Sequence, residues 1–137
     1  MIYLTRRESF NAAHRLFKPE LSDDENMKIF GKCSNPNWHG HNYTLYVTVK
    51  GNINSQTGLL INLKDLSTVI KSCIIDKVDH KNLNLEVDFM RGVITSTENI
   101  AIKIWDELDS EIKKINAELH SIKVVETENN FVEYFGK

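Results

Sequence analysis

The sequence is poor in the residues that build covalent frameworks and has no excess of charge of one sign. It has two cysteines, Cys33 and Cys73, among 137 residues, which is too few for a disulfide framework. Lysine and arginine number 17 against 19 acidic residues, for a formal net charge of -2. Proteins that bind nucleic acid or anionic lipid carry a basic surface that this balance does not provide. We therefore expect neither nucleic acid nor a membrane as a partner.

Long apolar runs are also missing. No stretch approaches the length of a membrane-spanning helix, and the amino-terminal residues MIYLTRRE contain no apolar signal-like segment. We expect a cytoplasmic protein on this basis. The hydrophobic share of 41% is enough to build a core, and the length fits one domain, which we place at residues 1–137.

Hydrophobic periodicity predicts two strands in the first third of the chain. Residues 2–13 are predicted to be extended, and residues 43–50 alternate apolar and polar side chains, which places Tyr43 and every second residue after it on one face. Both prolines fall in the segment between these strands, which we expect to be a long connection without regular structure.

Two helices and two more strands are predicted to follow. Apolar residues recur at helical spacing from Asn62 to Val78, and a second helix is predicted to begin at a capping box formed by Thr95 and Glu98. The tail alternates again at His120, Ile122, Val124 and Glu126, and a further strand follows at residues 131–135.

The order of these elements predicts an α+β fold. Two amphipathic helices would cover one face of a four-stranded antiparallel sheet. The other face and the sheet edges would remain open, and an oligomer that closes several sheets into a barrel would cover both.

His39-Gly40-His41 is the strongest local indication of chemistry. Residues at i and i+2 of an extended chain point to the same side, so both imidazoles can bind one metal ion. His14 follows the first strand and would come beside this pair if the two strands are neighbours. Three histidines with an open fourth position are typical of a catalytic zinc site, although an isolated HxH is often without function.

Cys33 lies six residues before His39 and is open to three interpretations. It could be a fourth zinc ligand, a thiolate that acts as base or nucleophile, or a small residue in a loop. Asp79-His80 could activate such a thiol, because an acid that orients an imidazole is the usual companion of a reactive cysteine.

Glu126 has the parity of the buried face at the end of its predicted strand. A carboxylate in such a place needs a partner. The partner could be an arginine of this chain, or the amino and ring N–H groups of a pterin or guanine bound through two parallel hydrogen bonds. The pattern alone does not decide between them.

Five motifs taken together make the sequence resemble the 6-pyruvoyltetrahydropterin synthase family from about residue 7 to the carboxyl terminus. Their lengths and their order carry the resemblance: Ser9-Phe10-Asn11-Ala12-Ala13-His14-Arg15-Leu16, Cys33-Ser34-Asn35-Pro36-Asn37-Trp38-His39-Gly40-His41-Asn42-Tyr43, Val78-Asp79-His80-Lys81-Asn82-Leu83, Thr95-Ser96-Thr97-Glu98-Asn99 and Val125-Glu126-Thr127.

The resemblance implies the tunnelling fold, in which three sheets form a trimeric barrel and two trimers stack into a homohexamer with active sites between subunits. It implies one zinc ion per subunit on His14, His39 and His41, and a catalytic triad of Cys33, Asp79 and His80. It also implies that Glu126 anchors the pterin and that the pocket is lined by Ser96, Thr97 and Glu98.

The implied reaction converts 7,8-dihydroneopterin triphosphate to 6-pyruvoyltetrahydropterin with loss of triphosphate, and Mg²⁺ would assist with the triphosphate. One rival is the related 6-carboxytetrahydropterin synthase of deazapurine synthesis, whose cysteine usually stands closer to the His-Gly-His. The other is a non-catalytic module stabilised by zinc, which needs a fourth protein ligand. Trp38 departs from the family pattern, which usually has a small residue before the first histidine of the pair.

Overall fold

Two long antiparallel strands form the centre of the sheet in the computed structural model, which describes residues 1–137. β1 (Ile2–His14) pairs with β2 (His39–Gly51) along its whole length. The register sets Ile2 opposite Gly51 and His14 opposite His39. The carboxyl end of β1 therefore lies beside the amino end of β2, where the predicted metal ligands are found.

The sheet has five strands, one more than predicted. β4 (Glu118–Thr127) pairs antiparallel with β2, and β5 (Asn130–Tyr134) pairs antiparallel with β4. The additional strand, β3 (Lys81–Asn82), pairs in parallel with β1, which makes the sheet mixed with the order β3-β1-β2-β4-β5. The α+β class and the four long antiparallel strands are confirmed, whereas a two-residue strand has no periodicity for a sequence to reveal.

Both predicted helices are present, and each differs in detail from its prediction. The first runs as α2 (Leu63–Ile70), a single π-helical stretch (Lys71–Ile75) and a short α3 (Asp76–Val78). The second, α4 (Thr97–Lys114), is capped by Ser96, whose hydroxyl accepts a hydrogen bond from the Asn99 backbone N–H at 3.2 Å. The capping box predicted for Thr95 and Glu98 is therefore wrong by one residue.

The connection between β1 and β2 contains a helix that periodicity missed. α1 (Asp23–Phe30) begins at Ser22, which forms a capping box with Glu25. Only Asn26 is buried in this helix, so it carries no apolar stripe to detect. A 3₁₀ turn (Gly31–Ser34) follows directly and carries Cys33. The capping-box residues were the one sequence signal for α1.

One face of the sheet packs on α2 and α4 to form the core. The alternating residues of β2 contribute four fully buried side chains, as predicted: Tyr43, Leu45, Val47 and Val49. Along α4, Ile104, Leu108 and Ile112 are fully buried against them. None of the helices is long and apolar enough to cross a membrane.

Two β-bulges interrupt β4 and change which side chains face the core. His120 is the extra residue where the register with β2 shifts, because Ser121 lies opposite Thr48 and Leu119 lies opposite Val49. The shift places Leu119 in the core and stacks His120 against Tyr3 at 4.5 Å between ring centroids. The prediction that His120 shares a face with Ile122 is therefore wrong. The second bulge falls at Glu126.

Candidate metal centre and substrate pocket

Three histidines meet where β1 ends and β2 begins. One ring nitrogen from each of His14, His39 and His41 lies within 4.8 Å of the others, so the group could hold a metal ion. The β1–β2 register explains this, since His14 lies directly opposite His39, and His41 follows two residues later on the same face. A Cβ at Gly40 would lie 3.1 Å from the Ala12 carbonyl oxygen, so glycine permits the close approach of the two strands.

A backbone carbonyl orients His14. Its Nδ1 lies 2.8 Å from the carbonyl oxygen of Thr95, which can only accept, so Nδ1 carries the proton and Nε2 presents a lone pair. His14 is 1% exposed. Burial is the main cause that lowers the pKa of His14 to about 4, and the neighbouring His39 and His41 lower it further, although the Thr95 carbonyl acts in the opposite direction. Burial likewise lowers the pKa of His39.

Three of the other ring nitrogens lack hydrogen-bond partners. Both nitrogens of His39 and Nε2 of His41 are buried without a partner. An unsatisfied buried polar atom costs about 1–3 kcal/mol, so three of them at one point indicate that another group belongs there. Neutral imidazoles with free lone pairs suit zinc, and three of them leave a fourth position open.

Tyr43 lies directly beside the histidine centre, on the core side. Its side chain is fully buried, and its hydroxyl lies 3.3 Å from Nε2 of His14. Burial first, and then the charges of Glu126 and Cys33, raise the pKa of Tyr43 well above its ordinary value, so the hydroxyl keeps its proton. Sequence reasoning placed Tyr43 in the core only. The sequence did indicate that Tyr43 also belongs to the site, because His39, His41 and Tyr43 are alternate residues of β2 and therefore lie on the same face.

Glu126 lies at the second bulge of β4 and keeps the inward parity of Ile122 and Val124. Val125 pairs with Phe131 and Thr127 pairs with Asn130, so Glu126 is the extra residue between them. Its Oε2 accepts a short hydrogen bond from the Thr97 hydroxyl, and its Oε1 lies 3.7 Å from Nε2 of His41. Thr97 is the first residue of α4, whose amino-terminal dipole favours a negative charge. His41 is the only ion-pair partner of Glu126, so the arginine that one interpretation required is absent.

A cavity of about 350 Å³ lies beside Glu126. Five residues predicted as site residues line it together: Cys33, Ser96, Thr97, Glu98 and Glu126. Residues of β5 form another wall. The three histidines do not line this cavity, and His41 contacts it through Glu126. Two larger cavities, of about 510 and 520 Å³, lie elsewhere and contain none of the five side chains. The volume of the smaller cavity suits a small organic ligand.

Cys33 lines this cavity but does not belong to the histidine group. It is a free, half-buried cysteine, and the group that could hold a metal consists of the three histidines alone. Its backbone carbonyl accepts a hydrogen bond from the Leu16 N–H at 2.8 Å. The geometry therefore disfavours Cys33 as a fourth ligand and leaves its thiol available to a molecule in the cavity.

Asp79 and His80 lie apart from Cys33 within the chain. His80 Nδ1 is 3.1 Å from Asp79 Oδ1, and the same oxygen accepts the Asn11 backbone N–H at 2.9 Å. That backbone hydrogen bond is the main cause that lowers the pKa of Asp79, and the hydrogen bond to His80 adds to it. The His80 side chain is 81% exposed, and neither residue lines the cavity that holds Cys33. The acid–imidazole pair forms as predicted, but a single chain does not bring it to the thiol.

The fold and the site together define a class: an α+β protein with a centre of three histidines beside a pocket that contains a carboxylate. Residues 3–137 match the sequence model of the 6-pyruvoyl tetrahydropterin synthase family, and the chain belongs to that family.

Relatives match over nearly the whole chain. The 6-pyruvoyl tetrahydrobiopterin synthase of Homo sapiens is 47% identical over 134 residues, which are 98% of this chain and 91% of the human protein. The Dictyostelium discoideum protein of the same name is 46% identical over 99% of this chain and 97% of its own length. The solved structure of Caenorhabditis elegans 6-pyruvoyl tetrahydropterin synthase superposes with a TM-score of 0.91 at 37% identity, covering 99% of this chain and 96% of that one. The last likeness confirms the predicted family fold.

The low pKa of His14 predicts how the stability of the metal-free protein depends on pH. In the unfolded chain a histidine takes up a proton near pH 6.5, whereas His14 in the folded protein stays neutral down to about pH 4. The unfolded state therefore binds more protons in this window, so the free energy of unfolding falls as pH is lowered, by up to about 3 kcal/mol. Urea unfolding of chelator-treated protein between pH 7 and pH 4 measures the effect. His14→Gln should remove this part of the slope, and an identical slope in the variant would contradict the assignment.

Proposed function

We propose that the protein is a zinc-dependent 6-pyruvoyltetrahydropterin synthase, a lyase that takes 7,8-dihydroneopterin triphosphate to 6-pyruvoyltetrahydropterin and expels triphosphate. The observation that carries this proposal is the contact between the three-histidine centre and Glu126, which lines the same pocket as the Cys33 thiol. The names of relatives at 46% and 47% identity support the same activity.

His14, His39 and His41 would hold the zinc ion. Zinc bound there would act as a Lewis acid on side-chain oxygens of the substrate, which acidifies the neighbouring C–H bonds. The protein's own contribution is to lower the pKa of His14 and His39 by burial and to fix the His14 ring through the Thr95 carbonyl. Ligands oriented in this way hold their metal more tightly.

Glu126 would bind the far end of the substrate. Its two carboxylate oxygens can accept hydrogen bonds from the amino group and a ring N–H of a pterin in a bidentate pair. The Thr97 hydroxyl and the amino terminus of α4 stabilise the carboxylate charge before substrate arrives. The carboxylate therefore fixes the ring while the side chain reaches toward the histidines.

Cys33 would move the protons. As a thiolate on the wall of the cavity it can remove a proton from the substrate side chain and return it elsewhere, which is the work of a general base and acid. Its placement outside the histidine group leaves the fourth metal position open for substrate oxygens. This arrangement disfavours the zinc-stabilised module, which needs a closing ligand.

Asp79 and His80 would act from a neighbouring subunit. They lie at the edge of the sheet where, on the side of β1 away from β2, β3 pairs only with Ala12 and Ala13 and the remainder of β1 has no strand. β5 is open at the other edge. Edges of this length invite pairing with another copy, and a homohexamer of two stacked trimers would bring an edge of one chain against the site of the next.

The spacing of Cys33 favours the pyruvoyl product over the carboxy product, since five residues separate it from His39. Magnesium would accompany the triphosphate as its counter-ion, because Mg²⁺ binds preferentially to phosphate oxygens.

Incubation of the pure protein with dihydroneopterin triphosphate tests the function directly. Mass spectrometry should identify 6-pyruvoyltetrahydropterin and free triphosphate. Cys33→Ala should lose turnover by about a hundredfold or more, the scale expected when a general base is removed, while zinc content stays the same. Cys73→Ala is the matched control and should remain active. A 6-carboxy product, or a zinc loss in Cys33→Ala without loss of turnover, would refute the assignment.

The zinc ligands are tested by elemental analysis. The double variant His39→Ala, His41→Ala should lose its zinc, because one remaining imidazole cannot hold the ion. His120→Ala, which changes a histidine on the opposite face of the sheet, should retain zinc at the wild-type stoichiometry. Full zinc occupancy in the double variant would place the metal elsewhere.

Glu126→Gln tests the anchor. The change keeps the size of the side chain but removes its charge and replaces one acceptor with a donor that faces the donors of the pterin. We expect pterin binding to weaken by about 1.5–3 kcal/mol, with zinc content unchanged. Glu118→Gln, whose side chain lies outside the cavity and pairs with Lys50, is the control and should bind pterin as the wild type does. A loss of thermal stability with normal pterin affinity would show that Glu126 has a structural role only.

A further inference from the structure

The Arg15 side chain joins the end of β1 to the turn that carries Cys33. Its Nε donates to the Ser34 carbonyl oxygen at 2.7 Å, and a terminal nitrogen donates to Asp23 Oδ1 at 3.0 Å. The Arg15 side chain is only 12% exposed and its bond to Ser34 is partly buried, whereas the Asp23 carboxylate is 73% exposed and its bond to Arg15 is open to water. One guanidinium thus holds both the Cys33 turn and the amino terminus of α1.

An aromatic pair contacts the chain a few residues after this turn, at Trp38. The guanidinium carbon of Arg15 lies 4.2 Å from the centre of the Phe17 ring, and Phe17 meets Trp38 edge-on at 6.4 Å. Trp38 has a φ of 68°, a left-handed conformation that a bulky residue adopts only where its surroundings impose it. Trp38 immediately precedes His39. The segment between Ser34 and Trp38 is therefore held at both ends by residues that follow His14.

The backbone of Arg15 is itself fixed. The Asn84 side chain accepts from the Arg15 N–H at 3.0 Å and donates to the Arg15 carbonyl at 2.9 Å. The next N–H, of Leu16, donates to the Cys33 carbonyl at 2.8 Å. Both the backbone and the guanidinium of Arg15 are therefore held, and the backbone of Cys33 is tied to the residue that follows Arg15.

We propose that Arg15 is a positioning residue for Cys33. It is not among the residues that line the cavity, and its guanidinium fixes the Cys33 turn against the strand that carries His14. A lysine cannot substitute, because one ammonium cannot present a planar fork to two acceptors and stack on a ring at the same time. The catalytic importance of Arg15 rests on the proposed function, because it requires that Cys33 is the group that moves protons.

The first measurement needs no substrate. In a Cys73→Ala background Cys33 is the only thiol, and its rate of alkylation by iodoacetamide reports how firmly the turn is held. Arg15→Lys should raise this rate severalfold, and Asp23→Asn, which removes the outer contact alone, should raise it less. Arg91→Lys is the matched control: its ion pair with Asp88 lies on the surface, and the alkylation rate should not change.

The second measurement separates positioning from folding. In Arg15→Lys we expect kcat to fall by about tenfold to a hundredfold with KM nearly unchanged and zinc content intact, because a small displacement of a reacting group costs rate and not binding. Millimolar guanidinium should restore part of the activity of Arg15→Ala, and the same concentration of ammonium should not.

An unchanged rate of Cys33 alkylation in Arg15→Lys would overturn the proposal, as would a loss of kcat that follows only the loss of folded protein. The two proposals fail separately. A wild-type protein that makes no product refutes the enzymatic function, whereas the alkylation rates still decide whether Arg15 holds the Cys33 turn.

Discussion

The antiparallel register between β1 and β2 is the constraint on which the rest of the site depends. It sets His14 opposite His39 across thirteen paired residues. A slip of one residue would turn His39 and His41 to the other face and expose the apolar residues that follow them. The same register that buries Tyr43, Leu45 and Val47 therefore assembles the metal centre, and the core and the site stabilise one arrangement together.

The start of α4 serves the metal centre and the pocket at once. The Thr95 carbonyl orients His14, the Ser96 hydroxyl caps the helix, and the Thr97 hydroxyl binds Glu126. Three successive residues thus orient the histidine His14, cap α4 and bind the carboxylate of Glu126. Because they share one short segment, the distance between the histidines and the carboxylate is fixed by the position of a single helix end.

The acid–imidazole pair shows what a single chain leaves incomplete. Asp79 is held by the Asn11 backbone and orients His80, yet the His80 ring faces outward. The pair is oriented as an acid–imidazole pair, but it does not share a cavity with the Cys33 thiol of the same subunit. The open edge of β1 beside it and the open β5 edge at the opposite end of the sheet give a physical reason for assembly, since both need strands to cover them. In our proposal assembly therefore completes the site as well as the sheet.

Much of this protein follows from local sequence. The period of two in β2 predicted its buried face and the shared direction of His39 and His41, and the period near 3.6 predicted α2 and α4. These patterns are local because each repeats within one element. The helix α1 had no apolar stripe, so only its capping box at Ser22 and Glu25 pointed to it.

The tertiary structure decided what depends on residues far apart in the chain. The bulges at His120 and Glu126 arise from pairing between strands, and the first of them turned His120 away from the face that its parity predicted. The partners of Glu126, the separation of Cys33 from Asp79 and the contacts of Arg15 with Ser34 and Asp23 were equally beyond the sequence. The physical reason is that periodicity records which side of an element is buried, whereas contacts between elements depend on the packing of the whole chain.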